Sequence, residues 1–263
     1  MSGPGIAQQP EPSGELATLL KREATRLGFG LVGIVAAEAM DQYAGIEVPY
    51  WQARGSTGRP ADVMPDVRSI VALGLHVWDP VLDVAAYDTA RAEWVYPAYA
   101  VMEQRKEKLA QWLTRRGFNV HSGPAKVSYK RLAVLAGFGD FGKNSLIVND
   151  RYGSNFRLAC LLTDAELEAD QPTGKDPCGK CTLCLSACPM DALQPWRVDP
   201  EACLVGLSLR ERAGDILEVA PDIRQRLAAL DRPTLEPRFS PNVHLMCRAC
   251  QDICPHSRTA PTV

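Results

Sequence analysis

Apolar and polar positions along the chain fall into blocks whose period changes from block to block. From Ser13 to Gly28, the residues Leu16, Leu19, Leu20 and Leu27 lie near one face of a helix, with Ser13 as N-cap and Gly28 as stop. "LVGIVA" is a short continuous apolar run and predicts a strand. "WQARGSTGRPADVMPD" is polar and punctuated by Gly and Pro, so it predicts a loop. "SIVALGLHV" predicts a buried strand. "YAVMEQRKEKLAQWLTRRG" returns to the helical period, with Met102, Leu109, Trp112 and Leu113 inward and Gly117 at its end. "VSYKRLAVLAG" predicts another helix, and "SLIVN" and "FRLACLLTD" predict two strands joined by "DRYGS". Helices and strands follow one another without regular strand–helix–strand alternation, so the predicted class is α+β.

Near residue 170 the pattern changes. From "QPTGKDPCGK" onward the chain is rich in Cys and Pro, with a helical insert around residues 207–230. The predicted organisation is a disordered tail over residues 1–13, an α+β domain over 14–170 and a cysteine-rich domain over 171–263. The chain has 263 residues, 46% hydrophobic and 23% charged, which suffices for a sizeable buried core. Its net charge of −2 points to neither a nucleic-acid partner nor an acidic membrane surface. The opening "MSGPGIAQQPEPSGE" has no basic, apolar or twin-arginine signal, and no run of about 18 apolar residues follows, so a cytoplasmic location is expected. In that compartment nine cysteines read as metal ligands and not as disulfides.

Their spacing narrows the metal. "CGKCTLCLSACP" is Cys178-x2-Cys181-x2-Cys184-x3-Cys188-Pro189, the run of a two-cluster bacterial ferredoxin. "CRACQDICP" repeats it from Cys247 through Cys250 and Cys254 to Pro255, without the first cysteine. In this motif the cysteine before the proline ligates the other cluster. One cluster then takes Cys178, Cys181, Cys184 and Cys254, and the other takes Cys188, Cys247, Cys250 and one more ligand. Two residues can supply the last: Cys203, and His244, three positions before Cys247. Thiolate is the usual ligand, which favours Cys203 and leaves His244 as a core or neighbouring histidine. A structural zinc site would use four ligands in two pairs, not eight interlocked ones. Cys160 is left over and reads as an inert buried thiol.

"AGFGDFGKNS" carries Gly137-x-Gly139-x-x-Gly142, the spacing of a dinucleotide turn, and lies one residue from a P-loop. Its context is wrong for both. A helix precedes it where a strand is needed, six residues separate it from the next turn, and Asn144 stands where a P-loop has Ser or Thr. Two readings remain: a loop whose backbone closely approaches a ligand, with Lys143 and Asn144 as donors, or a tight helix-to-strand connection.

The stretches "LAGFGDFGKNSLIVN", "FRLACLLTD", "CGKCTLCLSACPMDAL", "CLVG" and "CRACQDICPHS" together resemble the epoxyqueuosine reductase family, itself related to the cobalamin-dependent reductive dehalogenases. The resemblance spans about residues 14–256. It implies a nitroreductase-like α+β domain that binds cobalamin base-off, followed by a ferredoxin-like module with two 4Fe-4S clusters that feed electrons to cobalt. It implies that Gly137, Gly139, Gly142, Lys143, Asn144 and Ser145 line the corrinoid pocket, and it supports Cys203 as the eighth ligand.

Some family features differ here. The Arg-Asp-Tyr-His stretch of the tRNA-modifying members is replaced by "WVYPAYAVMEQRK", and their acidic proton donor by "VHSGPAKVSYK", with Gly123 near its position. Their C-terminal tRNA-binding extension is also absent from these residues. The expected activity is therefore reduction of a small organic substrate, with Tyr129, Lys130 or His121 as proton donor and Lys126, Tyr96 and Tyr99 nearby in sequence. The expected electron source is an external low-potential donor such as a ferredoxin or flavodoxin, to a monomer or homodimer. Two other functions fit the same residues: an electron-transfer protein that reactivates the corrinoid of another protein, and a flavin-dependent reductase.

Overall fold

The computed structural model describes residues 13–46, 57–91, 93–212 and 219–258. The expected tail up to residue 12, the first part of the loop after residue 46, and residues 213–218 of the helical insert lie outside them.

The first half runs α1 (Ser13–Arg26), β1 (Leu31–Ala36), β2 (Ser69–His76), β3 (Val84–Asp88), β4 (Glu93–Val95), α2 (Pro97–Thr114), β5 (Val120–His121) and α3 (Tyr129–Leu135). It continues through β6 (Asp140–Phe141), β7 (Ile147–Val148) and β8 (Phe156–Thr163). The second half holds α4 (Leu183–Ser186), β9 (Leu193–Gln194), β10 (Arg197–Val198), α5 (Leu204–Arg212) and α6 (Pro221–Ala229). It ends with α7 (Arg232–Leu235), β11 (Arg238–Ser240), β12 (Val243–Leu245) and α8 (Ala249–Asp252). Among the described residues no helix is long and apolar enough to cross a membrane.

The main sheet has the order β1-β2-β8-β5, and each neighbouring pair is antiparallel. Both its faces are covered, which explains why its strands read as continuous apolar runs. Val71, Leu73, Leu75 and Leu161 point to one face, where Leu16 and Leu20 of α1 and Met102, Leu109 and Leu113 of α2 pack. Ile70, Ala72, Cys160 and Leu162 point to the other, against Leu132 and Ala133 of α3. The alternation follows from the two-residue period of a strand. Leu20, Leu109 and Leu113 are fully buried, and each such burial contributes about 1.5–3 kcal/mol. Gly28 and Gly117 adopt positive φ after α1 and α2 and end both helices, as their positions in the sequence predict.

A second sheet has the order β11-β12-β3-β4. It draws two strands from each side of residue 170, so the compositional change there is crossed by backbone hydrogen bonds, with Val243, His244 and Leu245 opposite Ala86, Ala85 and Val84. The predicted strand "SLIVN" shrinks to Ile147–Val148, and its partner is β6, not β8. "DRYGS" folds back on itself through an Asn149–Gly153 bridge. The helical insert starts earlier than expected, at Leu204, and α7 carries it on to Leu235.

Candidate functional site

The glycine stretch is a tight β-hairpin that follows a helix. Gly137 has φ +72° and ends α3, with its N–H donating to the Val134 carbonyl (3.0 Å) and that of Phe138 to the Ala133 carbonyl (2.9 Å). Strands β6 and β7 then pair, and residues 142–146 close the turn between them. The glycines approach the protein's own backbone closely. A Cβ on Gly139 would lie 2.1 Å from the Val148 oxygen, and one on Gly137 would lie 2.7 Å from the Gln171 oxygen. The context that argues against a nucleotide turn thus corresponds to an observed helix-to-hairpin connection.

At the hairpin tip, the side chains reach the cysteine loops. The Lys143 backbone N–H donates to Cys178 Sγ (3.3 Å), and its ammonium donates to the carbonyls of Gly179 (2.7 Å) and Cys181 (2.9 Å). Asn144 Nδ2 donates to the Cys250 carbonyl (3.4 Å). Ser145 has φ +61° and its carbonyl accepts from Lys130 Nζ (2.8 Å). Lys143, Asn144 and Ser145 are all buried.

The cysteines gather in two neighbourhoods. Burial pushes the Cys184 thiol up, and Cys178, Cys254 and Cys181 push it further. In the second neighbourhood, burial pushes Cys250 up to about 12, with Cys247, Cys203, Cys188 and Cys184 adding to the shift. Cys247 is pushed up to about 11 by burial, against which the Ala249 amide acts; Glu236, Cys203 and Cys188 add to it. Cys203 is likewise raised by burial, opposed by the amides of Gly206 and Val205. Cys188, Cys203 and Cys247 pack against Met190, Ala192, Ala202, Leu204 and Leu207. Among the described residues no group of His, Cys, Asp or Glu is arranged to hold a single metal ion. A four-iron cluster makes a different demand, one thiolate on each iron. Thiols that disfavour one another's ionisation are a donor set lacking a counter-charge, and the donor set fits an iron–sulfur cluster. Amides already point at sulfur, Lys143 N–H at Cys178 and Ala192 N–H at Cys188 Sγ (3.3 Å).

His244 lies on β12, 1% exposed, with its ring edge-on to Trp94 at 5.5 Å between centroids. Of the three proton-donor candidates, Lys130 reaches the glycine hairpin. Burial lowers its pKa, and the thiols of Cys203 and Cys250 oppose that shift. Tyr129, one residue earlier on α3, turns instead to Cys160 and the Ala125 amide, and burial raises its pKa. His121 stays on the edge strand β5, with Nε2 3.4 Å from the Pro124 carbonyl. The structure therefore does not bring these three side chains to one point.

Sequence reasoning missed a buried ion network. Asp83, 1% exposed, accepts from Arg157 Nη2 (2.5 Å) and from Arg248 Nη1. Arg248 also donates to Asn155 Oδ1 (2.9 Å). Arg248 stands between Cys247 and Cys250, so the network ties the second cysteine loop to β8 and to the turn before β3. A charged residue inside the Cys-x2-Cys spacing was the available signal.

No family model matches the chain. The chain is 33% identical over 235 residues to the epoxyqueuosine reductase of Gloeobacter violaceus, covering 77% of this chain and 69% of that protein. Its fold is similar to that of an epoxyqueuosine reductase solved with an epoxyqueuosine-modified tyrosine tRNA stem loop (TM-score 0.68, 22% identity, 95% of this chain and 67% of the other). It is also similar to a reductive dehalogenase described for B12-dependent dehalogenation (TM-score 0.56, 16% identity, 88% of this chain and 36% of the other). Identity at that level over most of both sequences, joined to the fold, shows that this chain belongs to the epoxyqueuosine reductase family of oxidoreductases.

Proposed function

We propose that this protein is a cobalamin-dependent iron–sulfur reductase, with a nitroreductase-like domain up to about residue 170 and a ferredoxin-like module after it. The observation that carries the reading is the gathering of eight cysteines into two neighbourhoods, both hydrogen-bonded to the tip of one hairpin. Cys178, Cys181, Cys184 and Cys254 would hold one 4Fe-4S cluster, and Cys188, Cys203, Cys247 and Cys250 the other. The corrinoid is supported by family membership and by the likeness to a B12-dependent dehalogenase. When bound, the clusters supply one-electron carriers and the corrinoid supplies the reductive chemistry. Residues Gly137 to Ser145 would stand between the corrinoid and the cysteine loops, which Lys143 and Asn144 already reach. Lys130, half-buried and bonded to the Ser145 carbonyl in the hairpin turn, is the candidate that holds a proton there.

Two substrates compete. Loss of the acidic donor from "VHSGPAKVSYK" favours a small organic molecule. The relatives' name, and the stem loop bound to one solved structure, favour epoxyqueuosine in tRNA.

Anaerobic reconstitution of the full chain tests the cofactors. The expected result is about eight irons per chain, with hydroxocobalamin retained in its base-off form. Four irons, or zinc, would remove the cluster assignment. Retained flavin without cobalamin would replace the corrinoid reading with a flavin reductase. Reduced protein that reactivates another corrinoid protein but turns over neither substrate would make it an electron-transfer partner. Single turnover on an epoxyqueuosine-containing stem loop decides between the two substrates.

A further inference from the structure

The sequence suggests that Lys143 is a donor to a bound ligand. The structure gives its ammonium a different task. Two of its three hydrogens go to the carbonyls of Gly179 and Cys181, which flank Lys180 inside the first cysteine loop. The ammonium also lies 5.8 Å from the centroid of the Trp196 ring. The Lys143 backbone adds an N–H to Cys178 Sγ, and its carbonyl accepts from the Trp196 N–H (3.1 Å). The residue is 8% exposed, so water screens this charge poorly.

We propose that Lys143 is a positioning residue for the first cluster, shaping the Cys178–Cys181 loop and raising the cluster's reduction potential. The inference rests on the cluster reading above. Reduction adds negative charge to a cluster. A fixed buried cation beside it, and hydrogen bonds within its loop, stabilise the reduced state; net charge and hydrogen bonding are among the known determinants of cluster potential. From the hairpin tip the second loop receives instead the neutral amide of Asn144 at the Cys250 carbonyl, and the cation beside its thiols, Lys130, comes from α3. Consecutive residues at one hairpin tip thus address the two loops with different charge, and removal of the Lys143 charge acts on the first cluster.

The experiment uses the full chain, reconstituted anaerobically, with iron content and a redox titration followed by electron paramagnetic resonance as readouts. Wild type, Lys143→Met and Lys143→Arg are compared. Lys143→Met keeps the backbone N–H to Cys178 and removes the charge. The expected result is eight irons per chain in wild type and in Lys143→Met, with one midpoint shifted to lower potential in the variant. The expected shift is about tenfold in the reduction equilibrium, or about 59 mV for one electron. The other midpoint should stay in place, and Lys143→Arg should restore most of the shift. Should Lys143→Met hold only four irons, recovery of all eight in Lys143→Arg supports the proposal, and no recovery overturns it. Lys143→Met with eight irons and unmoved midpoints also overturns it, while leaving the cluster reading intact. A wild-type chain that does not take up eight irons fails the cluster reading itself.

Discussion

The two cysteine loops share a spacing but are anchored differently. The first lies at the surface: Gly179, Lys180, Thr182 and Leu183 are exposed, and its ties to the hairpin come from one lysine. The second is built into the protein. Arg248 within it bonds to buried Asp83, Gln251 donates to the Ser154 carbonyl (3.1 Å), and the preceding strand β12 is paired into a sheet. Burial accordingly raises Cys247 and Cys250 to about 11 and 12. The same cysteine spacing can therefore rest on a hydrogen-bonded clamp from one buried lysine or on the core itself. Mutations that leave the cysteines untouched should separate the two cases.

The largest effect is expected at Asp83. Asp83→Asn leaves Arg157 and Arg248 beside a neutral group in a buried site, at a cost of about 3–5 kcal/mol for a broken buried pair. Urea denaturation should show that loss, and the second loop should be cleaved by protease before the first. A midpoint close to wild type would mean that the second loop does not depend on the core network.

Cys160 gives a thiol outside both loops for comparison. It is fully buried in the main sheet, and burial pushes it up to about 12 from an ordinary value of 9.0. The unfolded thiol loses its proton above that ordinary value, while the folded one keeps it. The folded state then binds more protons, and stability falls as pH rises from about 9 towards 12. Cys160→Ala should flatten this alkaline decline in pH-dependent denaturation. An unchanged slope would show that the loss comes from other groups.

A smaller effect is expected at Asn144. Asn144→Ala removes one long hydrogen bond to the second loop and one to the Leu146 N–H, at a cost of about 0.5–1.5 kcal/mol for each. Thermal melting of the iron-free chain should shift by a few degrees. The smallest effect is expected beside the first loop, at the exposed pair of Lys175 and Asp150 (2.9 Å). Asp150→Asn should leave the melting curve where it is, and a clear shift would show that this surface is more ordered than its exposure implies.

Much of the scaffold was legible because burial leaves a periodic trace. The helix over Ser13–Arg26, the strands "LVGIVA" and "SIVALGLH", and the inward face of α2 at Met102, Leu109, Trp112 and Leu113 are all found as predicted. Pairing was less legible. "SLIVN" and "FRLACLLTD" both read as strands, yet they belong to different sheets, because hydrophobicity reports that a residue is covered and not by what. The glycine stretch showed a helix before it and a strand after it. It did not show that Gly139 is required by the carbonyl of Val148.

For this protein, hydrophobic period alone determined the helices α1, α2 and α3 and the strands β1, β2 and β8, and cysteine spacing singled out seven candidate ligands, with the eighth open between Cys203 and His244. Both are local properties, written within a dozen residues of one another. The tertiary structure alone decided that Lys143 and Asn144 each address a different cysteine loop, that Lys130 holds the Ser145 carbonyl, and that Asp83 carries Arg248. Those contacts join residues separated by as many as 165 positions, and a long-range hydrogen bond or ion pair leaves no periodic mark on either of the segments it joins.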